Sequence, residues 1–198
     1  METGPWRTRW IWAVILGIVL ICISVVAAKT GKQTGRKENI AMPMIIKSPS
    51  FMNGRAIPVR HTCDGLNVSP QLDWAGVPSG TKSLALIVDD PDAPDPAAPK
   101  IIWTHWVLYN IPPDANGLTE GVAAKDSPAG TLHGVNDWKR TGYGGPCPQV
   151  GNHRYFFKLY ALDTVLPDMK YPDKAALEKA IQGHVLAHSE LIGLYQKQ

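Results

Sequence analysis

Asp90, His105 and His153 are the residues of this 198-residue chain whose types and placement invite chemistry. Each is the polar member of a largely apolar period-2 pattern. SLALIVDD (83–90) puts Leu84, Leu86, Val88 and Asp90 on one side of a strand. IIWTHWVLYNI (101–111) groups Trp103, His105, Val107, Tyr109 and Ile111, and HRYFFKLYAL (153–162) groups His153, Tyr155, Phe157 and Leu159. An imidazole titrates near neutral pH, and either of its nitrogens can donate or accept. A carboxylate beside two imidazoles therefore suits two tasks: orienting the rings towards an anion, or completing a facial triad around a divalent ion.

Other reactive types carry less. Cys147 lies six residues before His153, the spacing of a thiol near a base, but prolines flank it and no nucleophile, base and oxyanion hole can be placed together. Cys63 is the other cysteine beyond residue 28; the two would pair in an oxidising compartment or remain free thiols, and spacing leaves both open. His184 and His188 are four apart, with Glu190 nearby, but lack the HExxH arrangement and read as a packed or partly exposed helical pair. His61 and His133 read as loop residues, and Asn67-Val68-Ser69 as a chance sequon. Trp74, Trp103 and Trp106 suit a core, whereas Trp138, in a loop, is a candidate pocket lid.

The elements that must position these residues are three strands joined by turn-dense connections. Seventeen prolines and eighteen glycines favour a sheet-rich fold over a helical bundle. The connection from about Gly121 to Asn152 is long enough to be functional, and it ends in TGYGGPCPQVGNHRYFF (141–157), where glycines permit close backbone approach ahead of the third strand. Arg154 falls on the opposite face of that strand from His153 and is expected to hold the loop through carbonyl or carboxylate contacts. One helix is expected, capped by Asp173 with Leu177, Ala180 and Ile181 on its apolar side, followed by a further helical turn and a short strand, ELIGLYQ.

DPDAP (90–94), WTHWVLYNIP (103–112), GYGGPCP (142–148) and HRYFFKLYAL (153–162), together with HTCDGLNVSP (61–70), resemble the phosphatidylethanolamine-binding protein (Raf kinase inhibitor-like) family, in its bacterial and archaeal branch. The resemblance covers about residues 44–198. It implies an all-β-dominated fold, a two-sheet antiparallel Greek-key β-sandwich with a few short helices. It also implies a pocket for phosphate or a phospholipid headgroup, lined by Asp90, Asp92, His105, Gly145, His153 and Tyr155. Donors to the anion would be the imidazoles, the Tyr155 hydroxyl and backbone N–H groups near Gly144 and Gly145. No catalytic residue, cofactor or metal is implied. The expected function is an anion-binding module of regulatory or inhibitory type acting on a phosphate-bearing small molecule, a phospholipid headgroup or a phosphorylated protein. The alternative is a small hydrolase or metal-dependent enzyme using the same Asp/His/His pocket.

Residues 10–28 carry no charge and reach bilayer-spanning length, so residues 1–28 are expected to form a membrane anchor or a long signal sequence. Residues 29–43 read as a flexible linker and 44–198 as the folded domain. The expected location is a membrane-anchored, exported domain, periplasmic or extracellular, or else a cleaved and secreted one. The net charge of +3 comes from the first forty residues, six Lys or Arg against two Asp or Glu; the remainder has fourteen against fifteen, hence −1. That balance argues against a nucleic-acid partner.

Overall fold

The computed structural model describes residues 42–197. Runs rich in Val, Ile, Leu and aromatic residues form nine strands in this span: β1 (Ile45–Lys47), β2 (Arg55–Ala56), β3 (Leu72–Ala75), β4 (Ser83–Asp90), β5 (Trp103–Ile111), β6 (Gly117–Leu118), β7 (Leu132–His133), β8 (Asn152–Leu162) and β9 (Val185–Gln196). One α-helix, α1 (Lys174–Ile181), joins them. A three-stranded sheet has the order β1-β3-β6, and a six-stranded sheet the order β2-β9-β8-β4-β5-β7.

β4 is central and buried along its whole length, because both of its faces are covered. Leu84, Leu86 and Val88 join Trp106, Leu108, Tyr155, Phe157 and Leu159 in a core that also takes Ile46, Leu72 and Trp74 from the smaller sheet. Ala85 and Ile87, on the other face, meet Val107, Tyr109, Leu162, Leu177 and Ile181 under the helix. Alternation on a doubly covered strand thus separates two apolar layers rather than an inside from an outside. It also sends adjacent carboxylates apart: Asp89 faces the helix side, where Lys158 (2.9 Å) and Lys174 (2.6 Å) neutralise it, and Asp90 faces the other way.

β5 departs from strict alternation. Val88 pairs with Trp106 and Asp89 with Thr104, so β5 carries one extra residue at His105. A second slip lies between the Leu84–Ile111 and Leu86–Leu108 pairs, where Asn110 has φ +54°. The expected grouping of His105 with Val107 and Tyr109 is therefore corrected: a bulge re-aims one side chain relative to its strand, and here it turns His105 towards Tyr155 while Val107 and Tyr109 pack under the helix.

The helix follows its capping signal, with the Asp173 carboxylate accepting from the Ala176 N–H at 2.8 Å and Leu177 and Ile181 buried. It ends before Gly183, at φ +83°, and the chain then enters β9. The expected second helical turn is replaced by a strand, because pairing with β8 from Val185 to Gln196 satisfies its backbone. His184 consequently bonds Asp163 (2.8 Å), His188 stacks on Tyr160, and the two share no helix face.

The expected fold class needs correction in two further respects. The larger sheet is mixed, since β2 runs parallel to β9. An N-terminal transmembrane helix is not supported: the segment read as a span, 10–28, lies outside the described residues, as does most of the expected linker, and among the described residues no helix is long and apolar enough to cross a membrane. Helix α1, at eight residues, is about 12 Å long.

Candidate functional site

Where β4 ends and β5 and β8 begin, their side chains open into a cavity of about 280 Å³. Asp90, His105 and His153 line it together with Trp103, Trp138, Ile101, Pro94 and the Cys147–Gln149 segment. Asp90, His105 and His153 are buried, at 3%, 2% and 1% exposure, so their hydrogen bonds decide what the cavity can recognise.

His153 is held at both nitrogens. Nδ1 lies 2.7 Å from the Asp90 carboxylate and Nε2 lies 2.9 Å from the Val150 carbonyl. Both ring nitrogens are therefore engaged within the protein, and neither is left for a ligand. Asp90 also accepts from the Asp92 N–H (2.8 Å), which closes the turn into the Ala93–Pro94 cis peptide. Each Asp90 oxygen thus has one partner and spare acceptor capacity.

His105 donates Nδ1–H to the Gly144 carbonyl at 2.6 Å, which leaves Nε2 as its second site. Burial holds its pKa below the ordinary imidazole value of 6.5, outweighing the Gly144 bond and the nearby carboxylates, which push the other way. At neutral pH Nε2 is accordingly an acceptor. Tyr155 packs edge-on to His105 (5.2 Å between ring centroids), beneath the cavity. Its hydroxyl is buried with no partner in hydrogen-bond geometry, and burial together with the Asp90 charge keeps it protonated well beyond the usual tyrosine range.

Two expected ligand residues are committed elsewhere. Asp92 accepts three bonds from Arg154: from its N–H (2.9 Å), Nε (2.9 Å) and Nη2 (2.7 Å). This clamp holds the Asp92 carboxyl below its ordinary range and fits the reading of Arg154 as a brace. The Gly145 N–H donates to the Asn67 side chain (2.7 Å), and the Gly144 N–H to the His105 carbonyl (3.0 Å), so neither amide points at a ligand. Gly145 is required for a different reason: a Cβ there would collide with the His61 carbonyl and lie 2.7 Å from Asn67 Oδ1.

The glycine loop is stitched to residues 61–67. Cys63 and Cys147 form a disulfide (Cα–Cα 5.4 Å), the Cys63 N–H donates to the Pro146 carbonyl, and the Tyr143 hydroxyl donates to the His61 carbonyl. Cys147 is therefore a wall of the cavity and not a thiol nucleophile. Asn67, read in sequence only as part of a sequon, braces the loop at φ +56°.

Trp138 and Trp103 make the aromatic wall, edge-on to each other at 5.4 Å, with Trp138 also 5.1 Å from the His105 ring. Trp103, expected in the core, is only half-buried and belongs to the cavity. Asn136 places Trp138 by accepting its N–H (3.1 Å), and Asp137 ties the same loop to the Thr104 N–H (2.7 Å). Among the described residues no group of three or more His, Cys, Asp or Glu is arranged to hold a metal ion. The engagement of both His153 nitrogens accounts for the failure of the Asp90/His105/His153 triad as a ligand set.

The model of the family described as phosphatidylethanolamine-binding protein matches residues 47–196. A protein of Methanothermobacter thermautotrophicus, known as a UPF0098 protein, is 52% identical over 155 residues, covering 78% of this chain and 99% of its own length. The crystal structure of a putative phosphatidylethanolamine-binding protein homologue from Chlamydia trachomatis superposes with a TM-score of 0.72 at 40% identity, over 79% of this chain and 99% of that one. E. coli YbcL, described as a member of the mammalian family, gives 0.70 at 32% identity, over 78% and 99%.

Proposed function

The chain belongs to the phosphatidylethanolamine-binding protein family, and from that premise we propose that its domain is a binding module for a small phosphate-bearing ligand, free or as a lipid headgroup or phosphorylated side chain, that acts by occupancy rather than turnover. The observation that carries this reading is the cavity in which buried Asp90, His105 and His153 converge under two tryptophans. Buried titratable groups converging on a concave site are the physical mark of a binding site.

A hydrolase reading has less behind it. Cys147 is in a disulfide, Tyr155 is held protonated, and both His153 nitrogens are bonded within the protein. Binding with a regulatory or inhibitory consequence fits these constraints better. The disulfide also supports a location outside the reducing cytosol, which we propose as an exported one.

The test is an NMR titration of the full chain with inorganic phosphate and with phosphoethanolamine at pH 6 and pH 7.5, after chelation of metals. Shifts confined to residues around Asp90, His105, His153 and Trp138 are expected for at least one compound. A response that appears only when a divalent ion is restored would transfer the site to metal chemistry, and silence from both compounds would end the proposal.

A further inference from the structure

β9 is 12 residues long, but its outer neighbour, β2, pairs only with Gly193 and Leu194. The Ile192 and Leu194 carbonyls accept from the Gly54 and Ile57 N–H groups at 2.7 Å, and the Ile192 N–H donates to the Asn53 side chain. Backbone groups of the even-numbered residues therefore face away from β8. The register with β8 is unbroken from Gln196 back to Ala187, so His188 and Glu190 present their N–H and C=O groups on that same outer side. Among the described residues no strand or backbone group pairs with them there. Such groups on a sheet edge are a template for another strand. The usual protections are missing: VLAHSELIGL (185–194) holds no proline and no lysine, and Val185, Leu186, His188 and Glu190 are exposed.

The edge is complementary to itself. An antiparallel second copy can meet it only where outward-facing residues oppose one another. A two-fold axis at His188 sets two imidazoles opposite each other and needs Leu186, where the register with β8 slips. An axis at Glu190 opposes two carboxylates, a destabilising pair, and needs Ile192, whose backbone groups are taken. An axis at Ser189 places His188 opposite Glu190 of the second copy, and Glu190 opposite its His188. Both residues then exchange N–H and C=O bonds with free groups, and an imidazole meets a carboxylate on each side of the axis.

We propose that the domain self-associates through this edge, as a two-fold dimer whose larger sheets join across Ser189. The contact is short and belongs with weak, concentration-dependent interfaces. The cavity lies at the other end of β9, where Tyr195 pairs with His153, about 17 Å along the strand from Glu190. Both cavities therefore stay open, and one dimer presents two. The pairing does not depend on what the cavity binds.

The test is sedimentation equilibrium of the full chain over a range of concentrations, beside amide hydrogen exchange. A monomer–dimer equilibrium is expected, in which the His188 and Glu190 amides become protected as concentration rises while those of Ser189 and Leu191, which face β8, do not change. Glu190→Pro should abolish the dimer and keep the fold, because the Glu190 N–H faces outward and an edge strand accepts proline at such a position. Glu190→Lys should weaken the dimer about tenfold, and His188→Glu combined with Glu190→Lys should restore it. A chain that stays monomeric throughout, or a dimer indifferent to Glu190→Pro, would overturn the proposal. If the proline variant loses its fold, the charge swap decides, and failure of the double variant to restore the dimer would overturn the proposal equally.

Discussion

Removing the side chain of Arg154 should expose how much of the site depends on a single ion pair. Arg154 gives Asp92 two charge-assisted side-chain bonds, at 2.9 and 2.7 Å, in addition to its backbone N–H. Each such bond is worth about 1.5–3 kcal/mol where both groups are dry. Asp92 is dry, at 6% side-chain exposure, but the arginine side chain is 54% exposed, so water replaces part of the interaction. Halving the dry value leaves about 1.5–3 kcal/mol for the two bonds together. A double-mutant cycle of Arg154→Met and Asp92→Asn, read by urea unfolding with unchanged m-values, should return a coupling energy in that range. Methionine preserves an unbranched stem over Phe156, against which the arginine now lies. A coupling below about 0.5 kcal/mol would be indistinguishable from independent sites and would refute the clamp, returning Asp92 to the list of ligand groups.

Three further outcomes follow from the same geometry. Replacing Cys63 and Cys147 by Ser opens a link across 84 residues, for which chain entropy sets a loss of about 4.5 kcal/mol; a change under about 1 kcal/mol in denaturant unfolding would show that the link does not restrain the unfolded chain. Burial depresses the His105 pKa, so between that lowered value and about 6.5 the unfolded chain binds more protons than the folded one, and stability should rise with pH across this window and level off above it. Unfolding at several pH values should show a smaller slope in His105→Asn, and a slope of opposite sign in the parent would contradict the buried, neutral ring. Gly145→Ala should lower stability by about 1–3 kcal/mol through collision with the His61 carbonyl; an unchanged thermal midpoint would mean that the loop yields freely.

The two long hydrophobic patterns before residue 112 and the one from 153 mark β4, β5 and β8 directly, because apolar alternation and turn-rich flanks act locally. The capped helix at Lys174–Ile181 was legible for the same reason. Its successor was not: β9 is half-exposed over Val185–Glu190, so its apolar signal is weak, and only pairing with β8 makes it a strand. At the site, the meeting of Asp90 and His153 followed from strand phase, whereas the turn of His105 out of phase depends on a one-residue slip that no period count contains. The DPDAP motif presents Asp90 and Asp92 as equals. Their separation into a cavity group and a structural clamp depends on Arg154, 62 residues further along the chain. Gly145 likewise suggests space for a ligand, and the space turns out to be filled by the His61 carbonyl.

The strand order of the larger sheet also sets a timetable for synthesis. β4 and β5 emerge together and can pair at once, but the other neighbour of β4 is β8, which begins at Asn152. Until the ribosome has added that segment, one edge of a strand that is buried along its whole length in the fold has no partner, and the Asp89 carboxylate lacks both Lys158 and Lys174. The nascent chain therefore carries an exposed, aggregation-competent edge from the completion of β4 at Asp90 until β8 begins at Asn152, and a truncation before residue 152 should need a holding chaperone to stay in solution.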